Sequence, residues 1–177
     1  MKKLNFIIKC GLALLLLSFY SCESWLNVTP SDRLSEEMLF NDREGFVKAL
    51  NGVYIELNTN ELYGRNLTAG ALDVMGQYYS VASSSHAFYN YGGLVYTGND
   101  EKALFDNMWQ KCYAVIACCN TIIEKCDENK AGLSPVWRGS IKGEALALRA
   151  MLHFDMLRLF GPLTSELDKE SIPYQTN

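Results

Sequence analysis

The stretch GEALALRAMLHFDMLRLFG, Gly143 to Gly161, decides how the rest of the chain is read. From Ile141 just ahead of it, apolar residues recur at three- and four-residue steps through Ala145, Leu148, Leu152, Met156 and Leu159. Such steps return to one face of a helix every turn. The punctuation agrees: Ser134 can accept from first-turn amides, Pro135 at the first helical position has no amide to leave unpaired, and Gly161-Pro162 stops the run. The pattern predicts a helix over 135–160, with small Ala145, Ala147 and Ala150 letting a neighbouring helix approach. Five polar groups of this stretch remain to be placed. Asp155 and Arg158, three apart, can pair on one side, while Arg149 is expected to reach a backbone carbonyl or a carboxylate of the neighbouring helix. Glu144 and His153 read as surface or interface residues.

The segment before it has the same character. Leu104, Phe105, Met108, Trp109, Cys112 and Tyr113 lead into a stripe of Val115, Ile116, Cys119, Ile122, Ile123 and Cys126, capped at its start by Asn99 or Asp100. Cysteines seven apart on one helix lie about 10.5 Å apart along its axis, beyond the reach of a disulfide and of one zinc ion. Cys112, Cys119 and Cys126 therefore read as reduced, small apolar residues of a core face. Two long helices joined by the turn Glu128–Leu133 make a helical hairpin, the unit of tetratricopeptide-like solenoids, although no 34-residue repeat is present.

Further upstream, Asn41 with Glu44 three residues later suggests a capping box for a helix whose apolar side is Phe46, Val47, Leu50, Val53, Tyr54 and Leu57. A weaker helix is expected from about Leu62 to Tyr79, interrupted by Gly64, Gly70 and Gly76. Ser80 to Asn99 has no sustained period and reads as a long loop with room for a short strand or turn. Aromatic rings crowd it. Phe88, Tyr89, Tyr91 and Asn90 are the candidate ligand-binding residues, because ring faces stack on the C–H faces of sugars and an amide fixes orientation. The alternative that these rings only cover a core stays open.

The N-terminus is of a different kind. Lys2, Lys3 and Lys9 precede an apolar block, Cys10 to Tyr20, of about 11 residues, which as a helix would rise about 16 Å and span only half a bilayer's hydrocarbon. This is the h-region of an export signal, and Phe19-Tyr20-Ser21-Cys22 is a loose lipobox. Residues 1–21 are read as a lipoprotein signal peptide, Cys22 as the lipidated first residue of the mature chain, and 22–40 as a tether carrying Pro30. The Cys22 thiol would carry diacylglycerol, its palmitate-type chains in the bilayer.

Composition excludes several functions. The 177 residues carry a formal net charge of −4, and the leader removes lysines but no acids, so no basic face for nucleic acid is present. With His86 and His153 as the histidines, there is no Ser/His/Asp arrangement, no metal-ligand spacing and no phosphate loop, so neither enzyme activity nor a cofactor is expected. The adjacent acids Glu36 and Glu37 face different directions on a helix and read as solvated charge.

Two paired motifs carry a resemblance: Trp109-x3-Tyr113-x2-Ile116-x3-Asn120, then Gly143-Glu144-Ala145-x2-Leu148-Arg149-Ala150-x2-His153-Phe154-Asp155-x-Leu157-Arg158-Leu159-Phe160-Gly161. Together with the lipobox and tether they resemble the SusD/RagB family of Bacteroidetes surface lipoproteins. The resemblance implies an all-α, tetratricopeptide-like fold over 41–177, as the N-terminal part of a larger SusD-like fold. It implies an outer-membrane lipoprotein that captures glycan or oligopeptide for import through a SusC-type TonB-dependent transporter, without catalysis. His153 departs mildly from the family's aromatic position, and the chain is shorter than family members, as an N-terminal fragment would be. A helical scaffold of the envelope that binds another protein is the alternative. Mass spectrometry of the N-terminal peptide from membrane fractions is expected to find acylated Cys22; an unmodified Cys22 following intact residues 1–21 would refute the anchor.

Overall fold

The computed structural model describes residues 35–163, 165 and 168–176, so the leader, Cys22 and most of the tether lie outside the described residues. All regular structure in that range is helical, and no strand occurs among the described residues. The helices are α1 (Glu36–Leu39), α2 (Arg43–Leu57), α3 (Ala71–Met75), α4 (Tyr89–Gly92), α5 (Asn99–Glu128) and α6 (Pro135–Phe160). From residue 37 onward the chain forms one compact unit.

The long helices α5 and α6 form the expected hairpin, and α2 packs across both. Ser134 caps α6 by accepting from the Trp137 amide, with Pro135 in the first turn. Asn129 ends α5 in the left-handed region, φ 46° and ψ 37°, which asparagine tolerates because its side chain accepts from the Leu133 amide at 2.8 Å. That bond and Gly132, φ 63°, turn the chain back into α6. Between the helices the side chains of Met108, Cys112, Ile116, Cys119, Cys126, Ile141, Ala145, Leu152 and Met156 are buried, and Phe46, Leu50, Val53 and Leu57 of α2 close the core. Of the three alanines expected at the seam, Ala145 is buried, whereas Ala147 and Ala150 face outward.

The helix expected over 62–79 is not continuous. Residues 59–70 run through successive turns, such as Leu62 N to Thr59 O at 3.1 Å and Leu67 N to Leu62 O at 2.9 Å, and only α3 is helical. Three glycines at about 1 kcal/mol each, with Thr59 and Thr68 hydroxyls taking backbone carbonyls for themselves, tip the balance away from helix. Buried Leu62 and Leu67 then hold the turns against the main core. Two caps also shift. Asp42, not Asn41, caps α2, accepting from the Gly45 amide at 2.8 Å, and Glu44 pairs with Lys48 instead of reaching back. Gly98 precedes α5, so Asn99 and Asp100 fall inside the first turn.

Among the described residues no helix is long and apolar enough to cross a membrane. Cys112, Cys118, Cys119 and Cys126 are free thiols, and all but Cys118 are buried. Burial pushes the Cys112 thiol up to about 12, helped by nearby Asp155, and Cys119 up to about 11, so both stay protonated at neutral pH. Iodoacetamide on the native chain is expected to modify Cys118 well before the other three, which react on denaturation. Denatured masses with and without reductant should coincide, and a two-hydrogen difference would reveal a bridge.

Candidate functional site

The motif residues converge on the last segment of the chain. Ile172 packs against the main core, and the residues after it run extended along α5 and α6. Tyr113 donates its hydroxyl to the Pro173 carbonyl at 2.8 Å, and Asn120 donates its amide to the Gln175 carbonyl at 3.4 Å. Arg149 donates to the Asn120 amide oxygen at 2.8 Å and to the Thr176 carbonyl at 3.3 Å. Arg149 thus meets a backbone carbonyl as expected, but that of the terminal segment. The Asp155–Arg158 pair is present at 3.2 Å. Asp155 also accepts from the Tyr63 hydroxyl at 2.5 Å and Glu144 from the Tyr54 hydroxyl at 2.6 Å, tying α6 to the turns and to α2. Burial and the Asp155 carboxylate raise Tyr63 above the usual phenol range, so the hydroxyl remains a donor.

Trp109 lies between Tyr113, 4.8 Å between ring centroids, and Phe160, 5.1 Å. From Phe160 the rings continue through Phe105 at 6.1 Å and Tyr91 at 5.9 Å to Phe88 at 5.8 Å. This edge-to-face series links the motif helices to the loop that carries the ligand candidates. Gly161, whose amide caps α6 through the Leu157 carbonyl at 2.9 Å, ends the helix beyond Phe160.

The loop between α3 and α5 covers a second, small core of Ala71, Val74 and Tyr91. Gln77, at φ 60°, donates its side-chain amide to the Gly92 carbonyl at 2.8 Å, and Tyr79 donates its hydroxyl to the Ala69 carbonyl. A cleft of about 720 Å³ opens beside them, lined by Arg65, Ser85, His86, Phe88, Asn90 and Glu101 among others. The four candidates divide here. Tyr91 is only 2% exposed and belongs to the core, so its ring cannot offer a stacking face. Burial, with Glu101 and Asp100 close by, pushes its phenol up to about 12. Asn90 donates to the Glu101 carboxylate at 2.7 Å, a buried acid that needs this partner. A methyl group on Gly98 would meet the same carboxylate at 1.9 Å, so glycine there makes room for Glu101. Tyr89 is 43% exposed, and Phe88 is half-buried with the Arg65 guanidinium 5.7 Å above its ring and His86 5.8 Å away.

Arg65 and Glu101 escape sequence inspection. Arg65 lies in the turns misread as helix, and Glu101 looks like an ordinary first-turn acid until the loop folds back on it. The cleft offers a cation, carboxylates, an imidazole edge, hydroxyls and the Phe88 ring, a mixture suited to a polyhydroxylated ligand.

Comparison with known proteins gives a consistent result. A family model described as starch-binding and associating with the outer membrane, SusD-like_3, matches residues 24–177. SusD-like protein P2 of Formosa agariphila is 25% identical over 166 residues, which cover 91% of this chain and 30% of that protein. The chain therefore spans under a third of that relative's length. No solved structure matches. Asn90→Ala is expected to destabilise the fold by about 1–3 kcal/mol in urea unfolding, by stranding the Glu101 carboxylate, while Tyr89→Ala stays within about 0.5 kcal/mol. Equal effects would mean that Asn90 does not support the loop.

Proposed function

This chain belongs to the SusD-like family, and we propose that it serves at the outer membrane as a lipoprotein, anchored through Cys22, that captures glycan for import through a SusC-type TonB-dependent transporter. The family is one of outer-membrane-associated, starch-binding proteins. Within the described residues, the observation that favours capture here is the cleft beside the loop, where exposed His86 and the half-buried Phe88 ring stand next to Arg65. Tyr91 and Asn90 also border the cleft and hold that surface in place, Tyr91 as a buried ring and Asn90 through its bond to Glu101. A rigid helical frame carrying an aromatic loop limits the ordering cost of binding. Lipidation at Cys22 would hold the site at the membrane surface, and the wide cleft, with an aromatic ring beside charged and hydroxyl groups, suits a flexible sugar chain.

Titration calorimetry of the acylated protein against starch oligosaccharides and a panel of other glycans tests the reading. Replacing His86 and Phe88 together by alanine is expected to weaken binding by about 1–3 kcal/mol with unchanged helix content. Unchanged affinity in the double variant would move the site away from this cleft.

A further inference from the structure

His153 is 5% exposed, and both of its ring nitrogens are committed. Nδ1 lies 2.9 Å from the Arg149 carbonyl, one turn back on α6, and Nε2 lies 3.0 Å from the Gln175 amide nitrogen. A carbonyl only accepts and a backbone amide only donates, so Nδ1 must carry the hydrogen and Nε2 must be bare. The neutral imidazole is the only form that satisfies both partners. Protonation would put an N–H at Nε2 against the Gln175 N–H, two donors facing each other.

We propose that His153 is a pH-operated latch, which holds the segment Pro173–Thr176 against α5 and α6 when neutral and releases it when protonated. Among the described residues, the hydrogen-bond and ring-contact partners of the imidazole include no carboxylate to compensate an imidazolium. From α5 the neighbour is the Tyr113 ring at 6.2 Å, and from the terminal segment the Tyr174 ring at 4.6 Å, both phenols and uncharged in acid. On its own helix, Arg149 is a cation, and the Asp155 carboxylate is engaged by Tyr63 and Arg158. The other bonds that hold the segment come from a phenol, an amide and a guanidinium, none of which titrates between neutral and mildly acidic pH. Among the described residues, His153 is thus the hold in the clasp that can take a proton. The sign follows: the held state requires the proton off, so the clasp weakens as the pH falls and the ring takes a proton, by up to about tenfold for each pH unit.

Release would also alter a neighbouring groove of about 540 Å³ along α5, for which Thr176 supplies a wall opposite Asn120, Thr121 and Glu124. The proton-coupled movement would then change the surface that this face presents.

Amide hydrogen exchange on the full chain in detergent, corrected for the intrinsic rate, tests the latch. Gln175 protection is expected to fall by about tenfold or more between about pH 7 and about pH 5, with α5 amides such as Ile116 unchanged. His153→Gln, whose side-chain oxygen can accept from Gln175 but takes no proton, should hold the segment at both pH values. Constant Gln175 protection in the parent chain, the same fall in His153→Gln, or loss of protection throughout α5 would each overturn the proposal. If the variant does not fold, ring nitrogen shifts of the parent chain decide: hydrogen on Nδ1 at neutral pH is expected, and hydrogen on Nε2 refutes the latch, with exposed His86 as the internal reference.

Discussion

Everything in this domain rests on the seam between α5 and α6, where small side chains let two long helices lie close. Cys112, Cys119, Cys126 and Ala145 are all fully buried there, and the larger Ile116, Leu152 and Met156 fill the space between them. Cysteine serves as a compact apolar residue in this setting, its thiol kept protonated by burial. A larger side chain in its place would force the helices apart, and interiors packed to crystal-like density accommodate such changes poorly.

The close seam has a consequence for polar groups. It brings Asn120 of α5 within reach of Arg149 of α6, and stands Tyr113 beside the His153 ring, so that one row of side chains faces a single extended segment. All four of these side chains bond to backbone, which fixes the path of that segment largely without regard to its own side chains. The family motif therefore reads as two physical devices. Its apolar members build the seam, and its polar members clasp the chain that follows.

The loop depends on the same frame at one remove. The ring series from Trp109 through Phe160, Phe105 and Tyr91 to Phe88 carries the order of the helices out to the cleft. Tyr91 and Asn90 support the loop, and this leaves His86, Phe88 and Arg65 as the cleft groups that a ligand can meet. Such a division is common where a long loop must be stiff at its base and open at its rim.

The sequence by itself determined the two long helices, their caps at Ser134 and Gly161, the free cysteine stripe and the Asp155–Arg158 pair, because each follows from spacing along one chain segment. It also carried the family, through motifs within those helices. Local patterning failed over 62–79, where helix propensity, glycine cost and threonine competition are nearly balanced and the burial of Leu62 and Leu67 decides. Only the tertiary structure decided which aromatic is core and which is rim. Tyr89 and Tyr91 are two apart in a loop without a period, so nothing local distinguishes them until Val74 and Phe105 close over one of the two. The partners of Arg149, Asn120 and His153 were equally out of reach, since they are backbone groups of a segment more than twenty residues away that carries no periodic signal. Spacing along the chain fixes faces of helices; which distant backbone meets those faces is set by how the helices pack.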